Sequence, residues 1–148
     1  MLDFEWFEGD RHPFFKDAVK IRTEVFVKEQ LVDEALELDG EDSYKWHVIA
    51  YENQQPVATA RVYFLPDDEN SKLKVQRVAV LKANRGEQVG ARLMYEIEKW
   101  AKIHHATHLV LSAQDTAIPF YEKIAFNVVN PLGYLDAGIP HHDMEKTL

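Results

Sequence analysis

Residues 75–94 read VQRVAVLKANRGEQVGARLM. Apolar residues alternate through VQRVAVL, the period of a strand. The pattern stops at KANRGEQVG, and Val89, Leu93, Ile97, Trp100 and Ala101 then recur at helical spacing. The stretch is therefore a strand, a tight loop and the start of a helix. A helix start leaves backbone N–H groups without partners and carries a positive partial charge. Glycine lets the backbone approach a ligand, and Arg85 adds a permanent cation. Such a loop suits a phosphate or pyrophosphate; a plain connecting turn is the other reading. Neither G-x-x-x-x-G-K-[ST] nor G-x-G-x-x-G occurs, which excludes a P-loop and a Rossmann fingerprint. The alternation in LKVQRVAVL changes phase near Arg77–Val78, and such a change marks a bulge that splays a strand from its neighbour.

Outward from this stretch, DFEWFEG reads as a first strand. DRHPFFKDAVKIRTEVFVKEQ reads as an amphipathic helix of about four turns, with Asp10 as cap, Pro13 in the first turn and Phe14, Ala18, Ile21 and Val25 on one stripe. LVDEALELDGEDSYKW is an acidic loop, with a helical turn around Val32–Leu36 as the alternative, and HVIAYE and VATARVYFL form a hairpin across NQQP. HLVLSA is nearly continuous and apolar, as expected of a buried central strand. DTAIPFYEKI is a short helix, FNVVN a strand, PLGYLDAGIP a turn-rich loop and HHDMEKT a last strand. The order β α β β β α β α β β implies a mixed α/β fold with one central sheet.

The chain has 148 residues, so a single domain over 1–148 is expected. The net charge, 17 − 25 = −8, argues against nucleic-acid binding and favours a cationic acceptor over an anionic one. There is no cysteine, which removes disulfides and a thiolate nucleophile. No run is long enough to span a membrane, and MLDFEWFEGD lacks a signal-peptide layout, so a soluble cytoplasmic protein is expected. HHATH contains His104, His105 and His108, of which only His104 and His108 share an i, i+4 face; HExxH is absent and no metal is expected.

The chain also resembles the GNAT superfamily of acyl-CoA N-acyltransferases. Arg85 and Gly90 after RVAV match that family's Arg/Gln-x-x-Gly-x-Gly/Ala signature, and IPFYEKIAF resembles its A-x-x-F-Y-x-x-x-G-F segment. IRTEVFVKEQ, SAQDTAIPFYEKIAF and DAGIPHHDM resemble a bacterial branch, the YjcF/ElaA-like group, so the likeness spans about Ile21 to Met144. It implies a GNAT-like single domain, with a mostly antiparallel mixed sheet of about six to seven strands, a splayed strand pair and about three to four flanking helices. It implies acetyl-CoA as co-substrate, no metal, and a small-molecule or peptide amine as acceptor; a homodimer is compatible with it.

By that resemblance Arg77, Val78, Ala79 and Val80 pair with the pantetheine arm. Arg85, Gly86, Glu87, Gln88, Val89, Gly90 and Ala91 hold the pyrophosphate, and Gln114, Ala117, Phe120 and Tyr121 complete the cofactor contacts. Two positions depart from the family. Gln88 stands where glycine is usual, with its backbone expected at φ below zero. Ala125 stands where glycine is preferred, and a positive φ there would strain it. Glu87 also places a negative charge beside the loop.

N-acetyl transfer needs a neutral amine, a polarised thioester carbonyl and a proton for the leaving thiolate. The family places the Val80 amide at the carbonyl and Tyr121 beside the CoA sulfur as general acid; the residues alone allow a core tyrosine packed on Phe120 and Phe126. Glu29 ends the first helix and is a candidate base. Arg22, seven residues earlier, would share its face and either bind the acceptor or pair with a carboxylate. His47 has a pKa suited to proton transfer, and His141 and Gln114 are candidates to line the acceptor pocket. Two other classes compete: a non-catalytic acyl-CoA-binding protein, and a protein-interaction domain with a degenerate cofactor loop in which Trp6, Trp46 and Trp100 serve an exposed patch.

Overall fold

The structure is a computed structural model that describes residues 1–66, 71–86 and 88–148. The chain divides into two compact units, Met1–Tyr63 with Arg77–Ile97 and Phe64–Gln76 with Glu98–Leu148. Among the described residues there are eight strands, β1 (Leu2–Glu8), β2 (Trp46–Glu52), β3 (Gln55–Phe64), β4 (Lys72–Val80), β5 (His108–Gln114), β6 (Asn127–Val128), β7 (Tyr134–Asp136) and β8 (Ile139–Thr147), and four α-helices, α1 (Phe15–Arg22), α2 (Glu34–Glu37), α3 (Val89–Ile103) and α4 (Ile118–Lys123). The strands follow the order β1-β2-β3-β4-β5-β8-β6, with β7 on β8. β4 and β5 run parallel, and the ladders of β1 with β2, β2 with β3, and β8 with β5, β6 and β7 are antiparallel. No described helix is long and apolar enough to cross a membrane.

In the first unit, β2 and β3 form the expected hairpin. Its two-residue turn, Asn53–Gln54, has φ 50° and 66°. Two left-handed residues in succession are the requirement of the turn that matches strand twist. Phe7, Ala18, Ile21, Val25, Ile49 and Ala79 form a buried apolar cluster, with Phe14, Phe15, Phe26, Tyr51 and Leu81 against it. The expected stripe on the first helix thus faces the core. Its start differs from expectation: α1 begins at Phe15, and the Phe14 N–H donates to His12 Nδ1 at 3.1 Å, so Asp10 is no cap.

Past Arg22 the helix widens into a π-helical stretch, Thr23–Glu29, and Gln30 N–H donates to the Val25 carbonyl at 3.1 Å. This explains a second correction. Arg22 and Glu29 do not share a face, because the i, i+7 argument assumes an unbroken 3.6-residue period. Arg22 turns inward and is 1% exposed, whereas the Glu29 side chain is about a third exposed.

The inward Arg22 belongs to a closed ring of six charges. Its Nε donates to Glu37 Oε1 at 2.6 Å and its Nη1 to Asp42 Oδ1 at 2.8 Å. Arg61 of β3 donates to Asp42 Oδ1 at 3.0 Å and to Asp39 Oδ2 at 2.7 Å. Arg77 of β4 reaches Asp39 Oδ2 at 3.3 Å and lies with Nε 2.8 Å from Glu37 Oε2. That last contact is an ion pair without hydrogen-bond alignment, for the Arg77 Nε has no hydrogen-bond partner. Each arginine bridges two carboxylates and each carboxylate two arginines. Burial is the strongest influence on both Glu37 and Asp42. It leaves the Glu37 pKa raised, while Arg22 and Arg61 together outweigh it at Asp42 and hold that pKa down. Arg77 has φ 55°, a left-handed residue in mid-strand at the place where the sequence changes phase. The acidic loop is therefore tied to α1, β3 and β4.

In the second unit, the β4–β5 ladder runs from Lys72↔His108 to Val75↔Leu111, and its pairs end there although both strands continue. Leu109, Leu111 and Ala113 are buried on one face of β5. The eighth strand, β7, lies in what the sequence presents as a turn-rich loop. Ala137–Gly138, at φ 51° and 77°, closes a tight hairpin between β7 and β8. Alanine is an unusual residue for that turn, which hides the hairpin signal. Helix α4 ends with Phe126 N–H on the Tyr121 carbonyl at 3.0 Å and Ala125 N–H on the Glu122 carbonyl at 3.1 Å, with Ala125 at φ 75°. This is a Schellman end, whose left-handed residue is usually glycine.

Two outcomes follow from these contacts. Replacing Ala125→Gly removes a Cβ from a left-handed position and stabilises by about 1 kcal/mol, seen as a rise of roughly 2–4 °C in thermal midpoint. Replacing Asp42→Asn leaves Arg22 and Arg61 buried against one carboxylate fewer and destabilises by about 3 kcal/mol in urea titration. An Asn variant as stable as the parent would show that the ring is dispensable.

Candidate functional site

After β4 the backbone is held by Leu81 N–H on the Val57 carbonyl at 2.9 Å, then turns through Lys82–Asn84 in a 3-10 turn. Arg85 follows, Gly86 sits at φ 83°, and Gln88 at φ 63° leads into Val89, the first residue of α3. The expectation of a negative φ at Gln88 is thus overturned. The chain keeps a glycine-like path there, at the cost of a left-handed glutamine, because the first turn of α3 is engaged by Arg92 N–H on the Gln88 carbonyl at 3.0 Å. A Cβ built on Gly86 meets nothing within 4 Å, so open space borders the loop. Glu87 lies outside the described residues. Val89 is buried, Gly90 and Ala91 are half-buried, and the first turn of α3 carries no acidic residue. On β4, Ala79 is buried in the apolar cluster while Val78 and Val80 are half-buried.

Arg85 does not point freely into that space. Its Nε donates to the Val80 carbonyl at 3.0 Å, and Nη1 and Nη2 donate to the two Glu29 oxygens at 2.5 and 2.7 Å. The hydrogen bonds from Arg85 hold the Glu29 pKa below its ordinary value. The residue expected to bind phosphate and the residue expected to act as base are therefore partners.

Two other candidates in this unit have structural roles. Arg22 takes the second of its two readings and pairs with carboxylates. His47 is 1% exposed; its Nε2 lies 3.1 Å from the Asp42 carbonyl, and its ring stacks on Phe7 at 5.2 Å. Burial lowers its pKa, so the imidazole is neutral and walled off from proton exchange. Trp6, Trp46 and Trp100 are all half-buried, so none of the three is a fully exposed ring.

In the second unit, Gln114 ends β5 directly across from His141 of β8, so two acceptor candidates are cross-strand neighbours. His141 Nδ1 is 2.6 Å from the Ile139 carbonyl, and its ring stacks on Tyr134. Tyr121 lies in α4, 7% exposed, with Phe120 and Phe126 edge-on at 5.0 and 5.6 Å. Desolvation raises its pKa. Ala117 closes the turn before α4 and, like Phe120, is half-buried.

The same unit contains polar contacts that the sequence reading passes over. The Tyr134 hydroxyl donates to Asp143 Oδ1 at 2.6 Å and also bonds the Ser112 hydroxyl. Ser112 pairs with Asp143 across the ladder, and the two-residue period of a strand puts it on the same face as Gln114, a polar face that the nearly continuous apolar run HLVLSA did not announce. Lys74 is half-buried, and desolvation lowers its pKa against the pull of Asp143 and Asp136. His142 Nδ1 lies 2.6 Å from Asp115 Oδ1 and its Nε2 3.3 Å from the Pro131 carbonyl. Both ring nitrogens face acceptors, so the ring is satisfied only as the imidazolium. The hydrogen bond to Asp115 raises its pKa accordingly. Gly133, at φ 59°, packs so closely that a Cβ would stand 2.7 Å from this ring. Among the described residues no group of three potential ligands is placed to hold a metal ion.

Comparison with known proteins shows the family. The acetyltransferase (GNAT) domain family matches residues 13–148, a span running through both units. The uncharacterised N-acetyltransferase YjcF of Bacillus subtilis (strain 168) is 39% identical over 131 residues, covering 88% of this chain and 91% of its own. An acyl-CoA N-acyltransferase of Pseudomonas aeruginosa superposes with a TM-score of 0.85 at 28% identity, over 99% of this chain and 100% of that one. Escherichia coli ElaA does so with a TM-score of 0.85 at 28% identity, over 99% of each chain. The chain belongs to the GNAT acetyltransferase family and is an acyltransferase of it.

The His142 contacts carry a pH dependence. A pKa raised by folding stabilises fully below the unfolded value of 6.5, and the contribution is lost as pH rises through the folded value. The stability difference between the parent and His142→Gln should therefore shrink from about pH 6 to about pH 9 in urea titrations. A difference that grows over that range would refute the assignment.

Proposed function

We propose that the chain transfers the acetyl group of acetyl-CoA directly to a primary amine of a small molecule or peptide, with Tyr121 as general acid and residues 1–148 acting as one catalytic domain. The observation that carries the reading is the path of the loop after β4. Gly86 and Gln88 both hold left-handed backbone immediately before a 15-residue helix, so a glycine-type turn survives the substitution at Gln88. That turn leaves the amides at the start of α3 to meet an anion. The likeness to an acyl-CoA N-acyltransferase of Pseudomonas aeruginosa supports acyl-CoA as the source of that anion.

The chemistry follows from groups already described. The neutral amine attacks the thioester carbonyl, and backbone N–H groups near Val80 stabilise the developing oxyanion. The C–N bond forms, the C–S bond breaks, and the thiolate takes the Tyr121 proton. Desolvation raises the Tyr121 pKa, so the phenol keeps its proton throughout the neutral range and can donate it as negative charge develops on the leaving sulfur. The proton lost by the amine passes to a carboxylate, for which Glu29 is the candidate. Gln114 and His141, paired across β5 and β8, are candidates to line the acceptor pocket. A net charge of −8 favours a cationic acceptor.

Acetyl-CoA at about 100 times its Kd should stabilise the folded chain by roughly 2.7 kcal/mol, read as a raised thermal midpoint. Millimolar acetyl-CoA without any shift would sink the reading. With an accepted amine, Tyr121→Phe should lower kcat by about 100-fold while leaving acetyl-CoA affinity unchanged; equal rates of CoA release would dismiss Tyr121 as the acid.

A further inference from the structure

We propose that Glu29 is a built-in phosphate surrogate: its carboxylate occupies the Arg85 guanidinium in the free protein, and the phosphates of acyl-CoA displace it. The inference rests on the reading of the loop after β4 as the cofactor's phosphate site. A guanidinium presents two paired N–H edges, Nη1 with Nη2 and Nε with Nη2, and each fits carboxylate and phosphate alike. In Arg85 both are engaged, so the fork is full: Nη1 and Nη2 are on Glu29 at 2.5 and 2.7 Å, and Nε is on the Val80 carbonyl at 3.0 Å. A phosphate cannot take the same fork while Glu29 holds it. The two anions therefore exclude each other.

The pair is built to exchange. Both side chains are more than a third exposed, so neither needs to be drawn out of a core, and a pair this wet is weak. Glu29 is the last residue of the π-helical stretch, and two residues on, Leu31 is exposed at φ 59°. The segment carrying the carboxylate thus ends in an irregular turn outside the apolar cluster. Lys82, on the loop itself, adds positive potential at the Glu29 carboxylate. A ligand with several phosphate charges competes for that potential better than one carboxylate does.

Displacement also changes Glu29. While Arg85 holds it, its pKa is depressed and it is a poor proton acceptor. Released, it returns toward an ordinary carboxylate. Acyl-CoA would then both load the site and free the base, which orders the reaction: cofactor first, amine deprotonation second. Proton linkage has a definite sign. The complex holds Glu29 at a higher pKa than the free protein, so cofactor binding takes up a proton in the acid range and strengthens as pH falls through it.

The test is calorimetric titration of the full chain with CoA, without acetyl group or amine. Parent, Glu29→Gln, Arg85→Gln and the double variant are compared. Glu29→Gln should tighten CoA binding about fivefold, because the competitor is gone. Arg85→Gln should weaken it, and adding Glu29→Gln to Arg85→Gln should change nothing further. If Glu29→Gln binds CoA equally or more weakly while the parent binds, the surrogate role is overturned and the phosphate-site reading survives. If none of the four binds CoA, both fall. A carbon NMR titration of labelled glutamate in the parent gives an independent readout: the Glu29 pKa should rise when CoA is added, and an unchanged value overturns the proposal.

Discussion

Six charges, Arg22, Arg61 and Arg77 with Glu37, Asp39 and Asp42, hold the first unit in register. Burying ions is costly, and an isolated pair inside a protein often does no better than apolar residues of the same size. The ring answers that cost by sharing. Every carboxylate serves two guanidinium groups, so the loss of any one leaves two partners under-compensated. The consequence is geometric. The segment from Glu37 to Asp42 is acidic, without a helical or strand period, yet it is pinned to a helix, a strand and the kinked part of β4 at once. An otherwise mobile kind of segment becomes a fixed wall of the unit.

The ring also bears on the backbone of β4. Arg77 lies at φ 55°, a conformation that non-glycine residues adopt at a cost. Its side chain reaches Glu37 and Asp39 from that conformation, and the ion pairs offset the strain. The same economy recurs at element ends. Gln88 before α3 and Ala125 after α4 both hold left-handed backbone where glycine would be unstrained. In each case helix hydrogen bonds close around the residue, from Arg92 in one and from Phe126 in the other. Both positions thus keep a left-handed backbone without a glycine.

Charged side chains in the first unit divide by exposure. Buried ones, Arg22 and Arg61, are structural, and His47 beside them is neutral and packed. Arg85 and Glu29 form a partly exposed pair, and it is the one the proposed exchange uses. In the second unit polar groups meet on one face of β5 and β8, where Ser112, Tyr134 and Asp143 bond one another and Gln114 faces His141. Tyr121 is enclosed by aromatic rings and keeps its proton.

The sequence by itself determined the order of strands and helices apart from α2 and β7, the hairpin across NQQP, the apolar stripe of the first helix, and the strand–loop–helix unit around Arg85. These follow from period and turn residues, which act over a few neighbours. Together with the FYEKIAF segment they also determined the family. What lay beyond it was decided by contacts distant along the chain. No local pattern announces that Arg22, Arg61 and Arg77 share three acids, since those residues come from separate elements. The π-helical widening after Arg22 separated Arg22 from Glu29, and no side-chain period reports an extra residue in a turn. The β7–β8 hairpin escaped because alanine stands in its turn. The left-handed backbone of Gln88 was set by the loop and helix around it, against its own preference. Tertiary structure alone brought Glu29 to Arg85, 56 residues apart, and made one ion pair of two separately expected site residues.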